Sequence, residues 1–173
     1  MATLTVSADY RVAQGETLTF TNETGFQIQG DPSGAPDLTI EGAVTVLASS
    51  TDRTSITGIQ IGASSFYDCL VTITGTGVLR VTSTVAGGSA SGYFSGSWSP
   101  DFINRGLVEV GARGQATGLT TWDAGPWLFE NSGTFRVTSS EGDARGVYLA
   151  NGGTFRNTGE YVVSGRASAT AVT

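Results

Sequence analysis

The feature that most constrains the fold is a nine-residue pattern that recurs in the second half of the chain. An aromatic residue stands first, an asparagine third and a glycine fifth, and apolar residues occupy the seventh and ninth positions. The pattern occupies residues 102–110, 129–137 and 155–163. Because apolar residues at every second position indicate a half-buried strand, each copy predicts a tight turn followed by a short β-strand.

The glycine of this pattern also recurs earlier in the chain. It occurs five times, at Gly42, Gly77, Gly106, Gly133 and Gly159. Successive copies are 35, 29, 27 and 26 residues apart. A second strand per coil is indicated by glycine-containing segments at residues 57–61, 91–94, 117–121 and 145–149. A third is indicated by the apolar residue that precedes each of the pattern glycines by four positions. Three short strands per coil are typical of a parallel β-helix. We therefore predict an all-β fold, a parallel β-helix of about five coils over residues 38–173.

The two ends of the chain differ from this repeat. Residues 1–37 alternate like strands but lack the pattern, and we expect them to form an N-terminal capping segment, because a terminal coil would otherwise expose unpaired backbone. The last residues resemble the start of a second strand, with Val172 in the place of Val147. This predicts a solenoid truncated within a coil, whose open end exposes Val163 and Val172 and favours end-to-end self-association.

Stacking of successive coils places equivalent residues on top of one another. Val46, Val81, Val110, Val137 and Val163 are predicted to form one buried column. An amide stack is expected for Asn104, Asn131 and Asn157, and an aromatic stack for Phe102, Phe129 and Phe155. Two outer columns of charge are expected, one with Arg80, Glu109 and Arg136 and one with Glu130 and Arg156.

Composition excludes several kinds of chemistry. The formal net charge is −6, which disfavours nucleic acid and anionic membrane surfaces as partners. The chain contains no His and no Lys, so a His-based triad, His-ligated zinc and Schiff-base chemistry are excluded. Cys69 is the single cysteine and is expected to be a buried thiol. No apolar stretch has the length of a membrane-spanning helix, so we expect no membrane insertion.

The phrases at residues 131–137 and 144–155 resemble the passenger repeats of bacterial autotransporters and related hemagglutinin-like adhesins. The resemblance covers about residues 38–173. It implies a right-handed parallel β-helix that a Gram-negative bacterium exports and displays or sheds at its surface, so the expected location is extracellular or at the cell surface. The residues at the start of the chain do not have the form of a secretory signal, and the export signal is expected to lie elsewhere.

Four carboxylates of the chain are candidates for a catalytic set. Asp68, Asp101, Asp123 and Asp143 fall at different distances from the pattern glycines and mostly in predicted turns. Solvated turn residues are therefore the favoured interpretation, with a polysaccharide-cleaving site as the alternative. The glycine-rich segments lack the aspartates of calcium-binding nonapeptide repeats. We expect no cofactor and no metal.

Aromatic residues indicate a ligand more specifically than the carboxylates do. They gather at the second strand of each coil and the loop that follows it, and exposed aromatic faces can stack on sugar rings. The candidate ligand platform comprises Phe94, Trp98, Trp122, Trp127 and Tyr148. The alternative is structural, with Trp122 and Trp127 folding back over the corner of the solenoid. Possible partners are therefore carbohydrate or another cell-surface ligand.

Two functional classes follow from these expectations. The first is a non-catalytic adhesin or structural stalk of a bacterial surface or secreted protein. The second is a fragment of a polysaccharide-processing β-helix enzyme or of a phage tail-spike. The missing His and Lys residues and the scattered carboxylates favour the first class, so we expect no enzymatic activity.

Overall fold

The computed structural model describes residues 1–29, 36–51, 54–62, 69–95, 101–121, 127–149 and 153–172. Within these ranges every regular element is a β-strand. In chain order the strands are β1 (Leu4–Val6), β2 (Tyr10–Val12), β3 (Thr17–Thr21), β4 (Phe26–Ile28), β5 (Leu38–Ile40), β6 (Ala43–Ala48), β7 (Ser55–Ile61), β8 (Leu70–Ile73), β9 (Val78–Ser83), β10 (Ser89–Ser95), β11 (Asp101–Asn104), β12 (Leu107–Ala112), β13 (Ala116–Thr121), β14 (Leu128–Asn131), β15 (Thr134–Ser139), β16 (Asp143–Leu149), β17 (Thr154–Asn157), β18 (Glu160–Gly165) and β19 (Ser168–Val172). The described residues include no helix that is long and apolar enough to cross a membrane.

The strands form three sheets in which neighbouring strands come from consecutive coils. Sheet I contains β1, β4, β7, β10, β13, β16 and β19; sheet II contains β2, β5, β8, β11, β14 and β17; sheet III contains β3, β6, β9, β12, β15 and β18. All of these strand pairs are parallel. From β5 to β19 the described chain passes through the three sheets five times. The predicted parallel β-helix of about five coils is confirmed.

The N-terminal segment lies at the end of the stack but is more regular than the sequence indicates. Strands β2, β3 and β4 pair with β5, β6 and β7, and β1 pairs with β4 at the edge of sheet I. Residues 1–28 therefore add one further coil and one further strand to the same three sheets. The repeat pattern does not reveal this coil because the turn between Val12 and Leu18 is two residues longer than the turn between Ile40 and Val44.

The valine column is the centre of the core. Val46, Val81, Val110, Val137 and Val163 are joined by direct register in sheet III. The first four are essentially inaccessible to solvent, and Val163 is partly buried. This prediction is confirmed, and the column continues upward to Phe20, which pairs with Val46.

The three asparagines form the predicted amide stack at the turn between sheets II and III. The Nδ2 atom of Asn104 donates to Oδ1 of Asn131 at 2.7 Å, and Nδ2 of Asn131 donates to Oδ1 of Asn157 at 2.7 Å. Each of these two amides also donates to a backbone carbonyl of the next coil, that of Thr134 or Glu160, at 2.9 Å. Asn104 and Asn131 are completely buried. The stack therefore satisfies polar atoms that would otherwise destabilise the core.

Aromatic and charged residues also follow the predicted columns. Phe129 lies 5.6 Å from Phe102 and 5.2 Å from Phe155 between ring centroids, and only the second pair is close to parallel. On the outer surface, Glu109 lies between two guanidinium groups, 2.7 Å from Arg80 and 3.6 Å from Arg136. Glu130 and Arg156 occupy paired register positions. Exposed ion pairs of this kind support the register but contribute little stability, because solvent and salt screen them.

A glycine interrupts the alternation of side chains in the strands of sheet I. In β10, Gly92 and Tyr93 are both buried, and Ser91 and Phe94 on either side of them face outward. The same arrangement occurs at Gly58, and at Gly118 two consecutive residues are also buried, although Thr120 after them is only 9% exposed. A side chain at Gly92 would collide with the carbonyl oxygen of Gly118, at 2.6 Å from its Cβ position. Glycine is therefore required by close approach of the next coil, and it sets which residues reach the outer surface.

Of the two valines of the C-terminal coil that were expected to be exposed, one is exposed and the other is partly buried. Val172 is exposed, with 42% of its surface accessible, and every residue of β19 is exposed. Val163 is only partly exposed because it packs against the core above it, whereas Val162 has 37% of its surface accessible. Self-association through this end stays a prediction.

The buried state of Cys69 is confirmed. Its Sγ atom donates to the carbonyl oxygen of Pro36 at 3.2 Å. Burial, with smaller contributions from Asp37 and Asp9, raises the pKa of the thiol to about 12. We expect the native protein to resist a maleimide reagent at mildly alkaline pH and to react fully in concentrated guanidinium chloride, as measured by mass spectrometry. Complete labelling of the native protein within minutes would contradict this prediction.

Candidate functional site

A shallow depression lies on the outer face of sheet I. Its volume is about 340 Å³. Strands β7, β10, β13 and β16 and the turns before them supply the described residues that line it, which are Ser55, Ser89, Ala90, Ser91, Phe94, Gln115, Thr117, Thr120, Arg145 and Tyr148. The depression therefore spans four consecutive coils.

Two aromatic side chains flank the depression. Phe94 on β10 pairs with Thr120 on β13, and Thr120 pairs with Tyr148 on β16. Both aromatic residues are half-buried and face outward, while Thr120 between them is 9% exposed. Because adjacent strands are separated by about 4.8 Å, the two ring positions are about 10 Å apart along the axis of the solenoid.

Small hydroxyl side chains form a polar floor in the outer column beside that of the two aromatic residues. Ser91 and Thr117 occupy the outward position immediately before the glycine in β10 and β13, and they pair with each other. Thr57 holds the equivalent position in β7 and Arg145 in β16. Small side chains beside the rings of Phe94 and Tyr148 leave room for a ligand. Their hydroxyl groups can both donate and accept hydrogen bonds.

Arg145 is the one charged residue among the described residues that line the depression. It is exposed, and no carboxylate in the described ranges lies within ion-pair distance of its guanidinium group. Asp143, two residues earlier on the same strand, instead accepts a hydrogen bond from Oγ of Ser168 at 2.7 Å. Arg145 therefore supplies the one positive charge among the described residues that line the depression.

The structure separates the five residues of the predicted platform. Phe94 and Tyr148 share the depression, as expected from their outward positions. Trp98 and Trp122 lie outside the described residues. Trp127 is 2% exposed, and a side chain at Gly153 would collide with its indole ring, whose Cζ2 atom lies 2.5 Å from the added Cβ position. Trp127 is thus packed against the chain of the next coil, as the structural alternative expected, and offers no face to a ligand.

The polar residues of the depression are not among the site residues predicted from the sequence. Ser91, Thr117 and Arg145 share one signal, since each immediately precedes the glycine of a sheet I strand. Thr120 and Gln115 carry no such signal. Their role becomes visible only when the register across coils is known.

The two described aspartates of the predicted acidic set occupy different parts of the molecule. Asp101 begins β11 in sheet II, and its Oδ1 atom accepts a hydrogen bond from the backbone nitrogen of Leu128 at 2.8 Å. Asp143 begins β16 in sheet I. Asp68 and Asp123 lie outside the described residues. Among the residues that the structure describes, no three Cys, Asp or Glu side chains cluster in a way that could hold a metal ion.

A second depression of about 370 Å³ lies on sheet III and the turns that follow it. Thr82, Gly111 and Thr138 form its centre, and Arg113, which is paired with Glu141, lies at its edge. Its described lining contains no aromatic residue. The depression on sheet I is therefore the stronger candidate for ligand binding.

The depression on sheet I combines two aromatic faces, a hydroxyl floor and one guanidinium group on a rigid parallel sheet. These groups suit the binding of a polar molecule with flat apolar faces, and sugars have this character. In comparisons with protein-family models, curated proteins and solved structures, none matches the chain.

Proposed function

We propose that the chain is a non-catalytic, carbohydrate-binding β-solenoid that acts outside the cell as an adhesin or surface stalk. The observation that carries this proposal is the paired register of Phe94, Thr120 and Tyr148, which holds two aromatic side chains two coils apart beside a polar floor. A sugar ring can stack on each aromatic face while its hydroxyl groups bond to the serine and threonine side chains in the column beside them.

Rigidity of the sheet supports binding by this surface. The strands that carry the aromatic residues are internal to sheet I, with a hydrogen-bonded strand on both sides. Little conformational freedom is therefore lost when a ligand binds, which favours affinity. The resemblance of the repeats to autotransporter passengers supports a location at the bacterial surface.

Binding is favoured over hydrolysis by the position of the described aspartates. A glycosidase needs two carboxyl groups on either side of one glycosidic bond. Asp101 and Asp143 belong to different sheets, and each accepts a hydrogen bond from a neighbouring coil. The polysaccharide-processing enzyme or tail-spike fragment is the alternative, and it predicts release of shorter glycans during incubation.

A glycan array followed by titration calorimetry tests this function. We expect the protein to bind a subset of oligosaccharides, and we expect Phe94→Ala and Tyr148→Ala each to weaken binding about tenfold through loss of ring stacking. Gln60→Ala is the matched control, because Gln60 pairs with Phe94 in the same outer column but does not line the depression.

Two results would contradict the proposal. One is that no glycan binds to the folded protein, and the other is that the two aromatic variants bind as tightly as the Gln60→Ala control. Circular dichroism at the titration temperature should confirm that all three variants remain folded. Chromatography of the glycan after incubation distinguishes binding from cleavage.

A further inference from the structure

We propose that the depression selects acidic saccharides, with Arg145 pairing to a carboxylate of the bound chain. This inference rests on the proposed carbohydrate-binding function and goes beyond it by naming the chemical class of the ligand. Its basis is an exposed guanidinium group beside Tyr148, in the only position of the described lining that carries charge.

Arg145 differs in size and charge from the residues at the equivalent positions of the preceding coils. The equivalent outward positions in the three preceding coils carry hydroxyl groups, at Thr57, Ser91 and Thr117, and Thr170 follows in the next coil. A single large cation among small hydroxyl side chains gives the column one charged position. It lies at the same level of the stack as Tyr148, because both residues are on β16.

The electrostatic setting leaves this guanidinium available to an external anion. Four described arginines lie in contact with glutamates of neighbouring coils, namely Arg11, Arg80, Arg113 and Arg136, whereas Arg105, Arg156 and Arg166, like Arg145, form no ion pair with a described carboxylate. Arg145 has no such carboxylate within the described ranges. Its planar group can donate two parallel hydrogen bonds to a carboxylate, which an ammonium group cannot do in the same geometry.

The direction of the bound chain follows from the two aromatic residues. They occupy one column two coils apart, so a saccharide that contacts both must run along the solenoid axis, across the strands. Pyranose rings in an extended chain repeat at a distance similar to the spacing between strands, so alternate rings fall on Phe94 and Tyr148. Arg145 occupies the neighbouring outer column on the strand that carries Tyr148, where it can reach a carboxylate on the ring stacked there.

The experiment compares matched pairs of ligands on the whole 173-residue protein. Each pair consists of a uronic-acid oligosaccharide and its carboxyl-reduced neutral form, so that only the carboxylate differs. We expect the protein to bind the acidic member about fivefold more tightly, the size of one solvent-accessible ion pair, and to lose this preference as salt is added. Arg145→Gln should abolish the preference and leave binding of the neutral member unchanged, and Arg145→Lys should retain part of it.

Arg105→Gln is the control for net charge, because it removes the same charge from an exposed turn outside the depression. It should leave the preference intact. Asp143→Asn should strengthen binding of the acidic member, since it removes the nearest carboxylate on the strand of Arg145.

The outcomes separate this inference from the proposed function. Equal binding of acidic and neutral members, unaffected by Arg145→Gln, would overturn the role of Arg145 while leaving a carbohydrate-binding protein. Equal loss of preference in Arg145→Gln and Arg105→Gln would show a general effect of charge and would also overturn it. No binding of any pair would overturn the proposed function and this inference together.

Discussion

Replacement of Gly118 by alanine is expected to lower the free energy of unfolding by about 3 kcal/mol, the upper range for overpacking of a core. The added methyl group would meet the carbonyl oxygen of Gly146 and would lie 2.5 Å from Cε1 of Phe135. The first contact is with the backbone of the next coil, and the second is with a ring that is 1% exposed. The carbonyl group cannot move away without disturbing the parallel pairing of β13 and β16, and the buried ring of Phe135 has no solvent-exposed side into which it could move.

Gly111→Ala is the matched control for this variant. Gly111 lies on the outer face of β12, where a Cβ atom would be 3.6 Å from Oγ1 of Thr138, an ordinary contact. Glycine in a strand carries an entropic cost, so this substitution should leave stability unchanged or raise it by up to about 1 kcal/mol. Chemical denaturation followed by circular dichroism measures both. Similar losses in the two variants would show that the close approach between coils is not what requires glycine.

Asn131→Asp is expected to lower the free energy of unfolding by about 3 kcal/mol at neutral pH, because it places an unsatisfied charge in the core. The substitution removes the donor that reaches Asn157 and the carbonyl of Glu160, and it sets a carboxylate oxygen against these two acceptors. Burial should raise the pKa of this carboxyl group above its value in the unfolded chain.

The pH dependence of this variant follows from that shift. A group whose pKa is higher in the folded state favours folding when it is protonated, below its pKa in the unfolded chain. The variant should therefore lie closest to the wild type in acid and lose relative stability as the pH rises through the raised pKa. Denaturation curves at a series of pH values measure the difference from the wild type.

Asn157→Asp provides the comparison within the same stack. Asn157 is exposed, and a carboxylate there is hydrated and can still accept the hydrogen bond from Asn131. We expect a loss below about 1 kcal/mol with little dependence on pH. If the two aspartate variants behaved alike, the buried part of the amide stack would have no special role in stability.

The repeated part of the fold could be predicted because its spacing carries geometric information. Residues four positions apart in the pattern, such as Phe129 and Gly133, define a turn and the strands around it, and equal spacing places Val110 above Val137. The N-terminal coil could not be predicted in this way. Its turn after Val12 is two residues longer than the turn after Ile40 and breaks the spacing of the repeat, so hydrogen bonding to β5 and β6 is what shows that it belongs to the same sheets.

The candidate site was predictable in one respect only. Alternation of side chains correctly indicated that Phe94 and Tyr148 face outward. It could not indicate the polar floor, because the break at Gly92 and Gly118 puts two consecutive residues inside and changes which neighbours face out. The burial of Trp127 was not decided by its sequence position either, since it depends on the close approach of Gly153 from the next coil.

The pairing of Phe94 with Thr120, and of Thr120 with Tyr148, fixes the distance between the two aromatic rings in units of whole coils. Each coil adds about 4.8 Å, and the rings stand two coils apart, a spacing that a point substitution cannot change. Loss of the coil between Gly106 and Thr134 would place the rings on adjacent coils, and duplication of that coil would place them three coils apart. The length of ligand that this surface can span is therefore set in whole coils.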